Sequence, residues 1–171
     1  FKPFVAGAAL QEKIINPTTL IHAPAQIIYG RRPYHDHSRH GYGYIPVTEA
    51  LERSSNVFFY KMGIALGIDR IASYAKYLGL GGKTGVEVPH EVSGLIPTEE
   101  WKEKAYGEPW QPGENLSNAI GQGFVLSTAL QMAVGFNAIG LEGPVVKPFI
   151  VQKIIDTDNN VLKQFEPEVV R

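Results

Sequence analysis

Apolar and polar positions follow helical spacing through most of the chain and alternate in strand fashion only near its end. Over residues 3–15, Phe4, Val5, Ala8, Ala9 and Ile15 fall near a helical period. Pro3 is tolerated in a first turn and Asn16-Pro17 is a terminator, so a helix is predicted there. Residues 18–46 are punctuated by Pro24, Gly30, Pro33, Gly41, Gly43 and Pro46 and are predicted to be irregular. Residues 47–53 predict a short helix leading to Ser54. Residues 57–66 are apolar on nearly every face and predict a buried helix. Ile71, Ala75 and Leu78 mark one side of a helix over 70–78, with Asp69 as its N-cap and Gly79, Gly81 and Gly82 as its breakers. Residues 86–97 form an extended, turn-rich connector. Thr98 caps a short amphipathic helix, 107–113 is loop, Ile120 to Gly123 is a tight turn, and 129–139 is a helix preceded by Ser127-Thr128. The alternating stretches 145–155 and 161–165 flank Asp158-Asn159-Asn160 and predict a loose hairpin.

Composition narrows the classes. A chain of 171 residues predicts one domain, large enough to bury about 68–70% of its unfolded surface. Hydrophobic content of 44% and charged content of 19% fit a folded domain rather than a disordered one. Sixteen Lys and Arg stand against seventeen Asp and Glu with no basic run, which argues against nucleic acid as a partner. The absence of cysteine removes disulfides, zinc-thiolate sites and cysteine nucleophiles. No run of about 18 apolar residues and no signal peptide lies in this stretch.

The candidate chemistry begins with Lys2, in Phe1-Lys2-Pro3-Phe4, and Ser54-Ser55-Asn56, just before Val57-Phe58-Phe59-Tyr60. An amine and a Ser-x-Asn triplet meeting in one cleft are half of a serine acyl-transfer site; the nucleophile is not among these residues. Standing alone, Ser54-Ser55-Asn56 is also an N-cap, with Asn56 expected to cap the helix while Ser54 faces the cleft. The run His35-Asp36-His37-Ser38-Arg39-His40 has zinc-ligand residue types but favours a solvated loop over the cleft. Gly121-Gln122-Gly123 favours a packing turn over an anion site. Trp101, Trp110 and Phe58-Phe59-Tyr60 are expected to be core or groove-lining residues.

In this order the pieces resemble the transpeptidase domain of penicillin-binding proteins, in its monofunctional, elongation-type penicillin-binding protein 2 group. Phe1-Lys2-Pro3-Phe4 resembles the tail of the family's Ser-x-x-Lys motif and Ser54-Ser55-Asn56 its Ser-x-Asn motif. The stretches 58–71, 79–98, 99–110 and 119–133 resemble further landmarks, so the likeness covers nearly the whole chain. It implies an α/β penicillin-binding/β-lactamase-like fold, with residues 1–171 an incomplete transpeptidase domain: mostly its helical portion with a C-terminal hairpin. The nucleophilic Ser is then expected two residues before Phe1 and the third motif, Lys-Ser/Thr-Gly on a strand, after Arg171. Lys83-Thr84-Gly85 spells that motif but in the wrong place, and is expected to be a structural turn. Lys2 would be the base, Ser54 a proton relay and Asn56 a substrate-binding amide.

The resemblance further implies a peptidoglycan D,D-transpeptidase that works through a serine acyl-enzyme and is acylated by β-lactams, with no cofactor and no metal. The isolated segment would be inactive. Implied partners are stem peptides, a polytopic membrane glycosyltransferase and elongation-complex proteins, at the bacterial envelope, with an inner-membrane anchor and the domain outside the cytoplasm. A β-lactamase or β-lactam sensor domain, or a non-catalytic scaffold, are the alternatives; the landmarks at 99–123 argue against the first.

Overall fold

In the computed structural model, which describes Phe1 to Arg171, the elements run α1 (Lys2–Gln11), β1 (Ile21–Ala23), β2 (Gln26–Tyr29), β3 (Arg32–His35), β4 (Gly43–Ile45), α2 (Val47–Glu52), α3 (Asn56–Leu66), α4 (Ile68–Tyr77), α5 (Glu99–Tyr106), α6 (Glu114–Ala119), α7 (Ala129–Gly140), β5 (Val146–Lys147), β6 (Lys153–Ile155), β7 (Val161–Gln164) and β8 (Glu168–Val169). No helix is long and apolar enough to cross a membrane. The predicted helices all form, and several of their ends differ from expectation.

Helix α1 stops at Gln11 rather than running to Asn16-Pro17. Lys13 takes a left-handed backbone (φ 56°). Its N–H then reaches the Leu10 carbonyl at 3.1 Å while the Ile14 N–H reaches that of Ala9 at 3.0 Å. This is a Schellman ending with lysine where glycine is usual. Asp69 lies inside the first turn of α4 instead of capping it, and its carboxylate accepts the Glu99 N–H at 3.0 Å. Thr98 caps α5 as expected, through its hydroxyl and the Trp101 N–H at 3.0 Å.

Residues 18–46 are not irregular throughout. Strands β2 and β3 pair antiparallel from Gln26↔His35 to Tyr29↔Arg32. Gly30 and Arg31 both have positive φ, the tight-turn backbone that suits the twist of a two-residue hairpin. β1 pairs with β4, from Ile21↔Ile45 to Ala23↔Gly43. Helix α6 departs from the expected pattern: its six residues carry one large apolar side chain, Leu116, and it follows directly on Pro112-Gly113.

The chain divides into two compact units, residues 1–75 with 96–126 and residues 76–95 with 127–171. Each is assembled from separate stretches of sequence, so no linker composition marks a border. In the first unit, α3 buries Val57, Phe58, Phe59, Tyr60, Met62, Gly63 and Leu66, against the buried face of α1 (Phe4, Val5, Ala6, Ala8 and Ala9) and against α6. Gly63 allows the α3–α6 approach: a Cβ there would lie 2.6 Å from the Asn115 carbonyl oxygen and 2.7 Å from Ala119 Cβ. Gly63→Ala should therefore destabilise the protein by about 1–3 kcal/mol through overpacking, despite the better helix propensity of alanine. An unchanged unfolding temperature would show that α6 moves aside freely.

In the second unit, α7 begins with a capping box between Thr128 and Gln131. Gln131 is fully buried, and its amide donates to the carbonyls of Gly82 (2.6 Å) and Ser93 (2.7 Å). Val134, Ala138 and Val145 form a small core with Leu78. The C-terminal hairpin forms where alternation placed it, β6 with β7, with a bulge between Ile154 and Ile155. β5 pairs with β8 in a separate two-stranded sheet whose strands flank the hairpin in sequence. Lys83-Thr84-Gly85 belongs to no strand; the Glu91 carboxylate accepts from the Thr84 N–H and hydroxyl, both at 2.6 Å, and from the Gly85 N–H at 3.1 Å.

Candidate active site

The site is made by two chain reversals and a helix start, all within the first unit. Helix α2 ends as α1 does. Ser54, with φ 53°, donates its N–H to the Leu51 carbonyl at 3.1 Å, and the Ser55 N–H reaches that of Ala50 at 2.9 Å. This second Schellman ending turns the chain abruptly, so that Ser54 sits at the elbow between α2 and α3. Ser55, not Asn56, is the N-cap of α3; its hydroxyl accepts the Phe58 N–H at 3.2 Å. Asn56 is the first helical residue, which frees its side chain for the cleft.

Lys2 meets this elbow from the first turn of α1. Its Nζ donates to Ser54 Oγ at 2.9 Å, to Asn56 Oδ1 at 2.7 Å and to the Ser54 carbonyl. All three sequence-predicted residues are thus brought together. An ammonium has three protons, and here each has a protein acceptor. The Phe59 ring lies 5.8 Å from Nζ. Burial holds the Lys2 amine below the usual lysine value, against an opposing pull from the Asp36 carboxylate. Lys2, Ser54 and Asn56 line an open cleft of about 430 Å³ together with Leu51, Ile120 and Gln122. Gly121 closes its wall as a packing turn: it has φ 79°, and a Cβ there would lie 2.6 Å from Phe1 Cβ.

Sequence reasoning missed Asp36. It stands in the run that reads as a solvated loop, and His35, His37 and His40 are indeed exposed, but the Asp36 side chain is wholly buried. Its Oδ2 accepts from Ser55 Oγ (2.6 Å) and the Val57 N–H (3.0 Å); its Oδ1 accepts from the N–H groups of His37 (2.8 Å) and Asn56 (3.1 Å). Burial alone would raise this carboxyl. The Ser55 hydroxyl and the three amides outweigh that and hold it below the usual carboxylate value. The only hint in the sequence is an Asp among histidines upstream of a Ser-x-Asn triplet, which does not say which way the carboxylate turns. The side chains of His, Asp and Glu nowhere gather in threes as a metal site would need; Asp36 is occupied by protein donors.

The family model for the penicillin binding protein transpeptidase domain matches residues 1–170. The chain belongs to this family. Among transpeptidases of known sequence it is 35% identical over 167 residues to the peptidoglycan D,D-transpeptidase MrdA of Haemophilus influenzae, covering 96% of this chain and 25% of that protein. Among solved structures it resembles the penicillin-binding protein PBP2 of Helicobacter pylori in complex with MreC, with a TM-score of 0.81 and 31% identity over 94% of this chain and 29% of the other. It also resembles Pseudomonas aeruginosa PBP2 bound to WCK 5153, with a TM-score of 0.85 and 28% identity over 96% of this chain and 39% of that one. The transpeptidase fold and the resemblance to the penicillin-binding protein 2 group expected from the motifs hold. The chain spans about a quarter of the length of the curated transpeptidases it matches.

Proposed function

We propose that this chain is part of a peptidoglycan D,D-transpeptidase of cell-wall elongation. The observation that carries the reading is the convergence of Lys2 on Ser54 and Asn56 in an open cleft. In the proposed mechanism a serine two residues before Phe1 is the nucleophile, one helical turn from Lys2, and a Lys-Ser/Thr-Gly strand after Arg171 completes the site. The segment of 171 residues alone is inactive. A serine hydroxyl needs a neighbouring base at neutral pH. Lys2, once neutral, takes the serine proton as Oγ attacks the carbonyl carbon of the penultimate D-alanine. The C–N bond breaks, and the proton passes through Ser54 to the departing D-alanine amine. An amine of a second stem peptide then attacks the ester carbonyl, releasing the serine oxygen, which regains its proton. Asn56 accepts from Lys2 through Oδ1, which leaves its Nδ2 protons to hold a substrate carbonyl for attack. A β-lactam opens by the same attack and remains on the serine.

Stem peptides are the proposed substrates. A polytopic glycosyltransferase and elongation-complex proteins are the proposed partners, at an inner-membrane-anchored site in the bacterial envelope outside the cytoplasm. Intact mass of the full-length protein after incubation with penicillin tests the reading. One stable adduct is expected. Intact protein with hydrolysed drug would indicate a β-lactamase, and intact protein with intact drug a scaffold.

A further inference from the structure

We propose that Asp36 is a positioning residue of this site, whose buried carboxylate holds Ser54 and Asn56 in register with Lys2 by gripping the residues around them. The proposal rests on the transpeptidase reading above. A carboxylate has about four acceptor positions. Here all are used by donors from the α2–α3 elbow and from the end of β3: the Ser55 hydroxyl, the Asn56 and Val57 amides and the His37 amide. Ser54 is therefore clamped on its C-terminal side by a charge, and on its N-terminal side by the Schellman bonds of α2. A serine at φ 53° is not held there by its own preference. Without Asp36, Ser55 loses the acceptor for its hydroxyl, and two amides at the start of α3 lose theirs inside the protein. The elbow that aims Ser54 Oγ and Asn56 Oδ1 at Nζ then has no fixed geometry.

Asp36 also acts on Lys2 through space. The charged group facing Lys2 is the Asp36 carboxylate. Those facing Asp36 are Lys2, the His37 ring, whose Nδ1 is 3.1 Å from Oδ1, and the Tyr60 hydroxyl. The His37 ring is joined in turn to the Tyr42 hydroxyl at 2.6 Å. The carboxylate favours the charged form of Lys2, so removing it makes Lys2 easier to deprotonate. A merely structural role would lower the amount of active protein and leave the pH dependence where it was.

The test uses the full-length protein and the second-order rate of penicillin acylation across pH. Asp36→Asn is expected to lower the plateau about 10-fold or more and to move the acid limb to lower pH. Ser55→Ala leaves the charge in place; it should lower the plateau several-fold without a downward shift of the limb. Asp36→Glu, which keeps the charge, should retain the parental limb. A parental plateau in Asp36→Asn, or a lowered plateau with an unmoved limb, overturns the proposal. If that variant does not fold, a parental plateau in Ser55→Ala overturns it. Failure of the unsubstituted protein to acylate overturns the transpeptidase reading itself, and is recognised before any variant is compared.

Discussion

Lys2→Met in the full-length protein should slow penicillin acylation by about 10³-fold, within the range that a positioned general base contributes. Methionine keeps an unbranched stem beside Phe59 and removes only the amine, so the fold should survive. Ser54→Ala and Asn56→Ala should each slow the same step by about 10²-fold or more. Each removes one of the three acceptors around Nζ and leaves the other two. The sign of the pH dependence follows from the amine. Burial lowers its proton affinity, so the neutral, base-competent form appears below the ordinary lysine range near 10.4. Acylation should rise with pH along an acid limb displaced downward from that value. A Lys2→Met protein acylating within a few-fold of the parent would remove Lys2 from the role of base.

The largest expected effect on stability lies away from the cleft, at Glu114. Lys102 is almost wholly buried, with a side chain 5% exposed. Its Nζ donates to both carboxylate oxygens of Glu114, at 2.6 and 2.8 Å, below the Trp110 ring at 5.9 Å. Glu114 Oε2 also takes the Gln111 N–H at 2.8 Å, which fixes the approach to α6. Glu114→Ala leaves an ammonium inside the protein with only Glu108, 4.0 Å away and itself exposed, as a counter-charge. Stranding a buried charge in this way costs about 3 kcal/mol or more, whereas Lys102→Met strands only the Glu114 carboxylate, whose side chain is 25% exposed and open to hydration. The unfolding temperature of this domain in the full-length protein should accordingly fall by roughly 6–12 °C for Glu114→Ala. For Lys102→Met it should fall far less. The reverse order would mean that the pair is held by Lys102 packing rather than by charge.

Much of the helical framework was legible because its signals are local. The buried run Val57 to Leu66, the Thr98 cap and the alternation around Asn159 each report their own structure within a few residues. The convergence of Lys2 with Ser54 and Asn56 was legible through the ordered motifs, not through periodicity. What escaped was set by groups far apart in sequence or by backbone conformations that residue type does not announce. Lys13 and Ser54 adopt left-handed backbones that statistics assign to glycine, so the residue pattern carries α1 too far and points to Asn56 for the cap that Ser55 supplies. Asp36 looks like a loop residue until the start of α3 is brought against it. Pairing of β1 with β4 depends on contacts across some twenty residues that no short window contains.

The left-handed backbone at Ser54 has a consequence for how this position changes over generations. Glycine or asparagine would take that conformation more easily than serine does. Folding therefore gives no reason to keep a serine here, and the hydroxyl 2.9 Å from Lys2 does. On the proposed reading, a duplicated copy released from acyl transfer would be free to drift at this site first, while the surrounding helices stayed under selection for their packing.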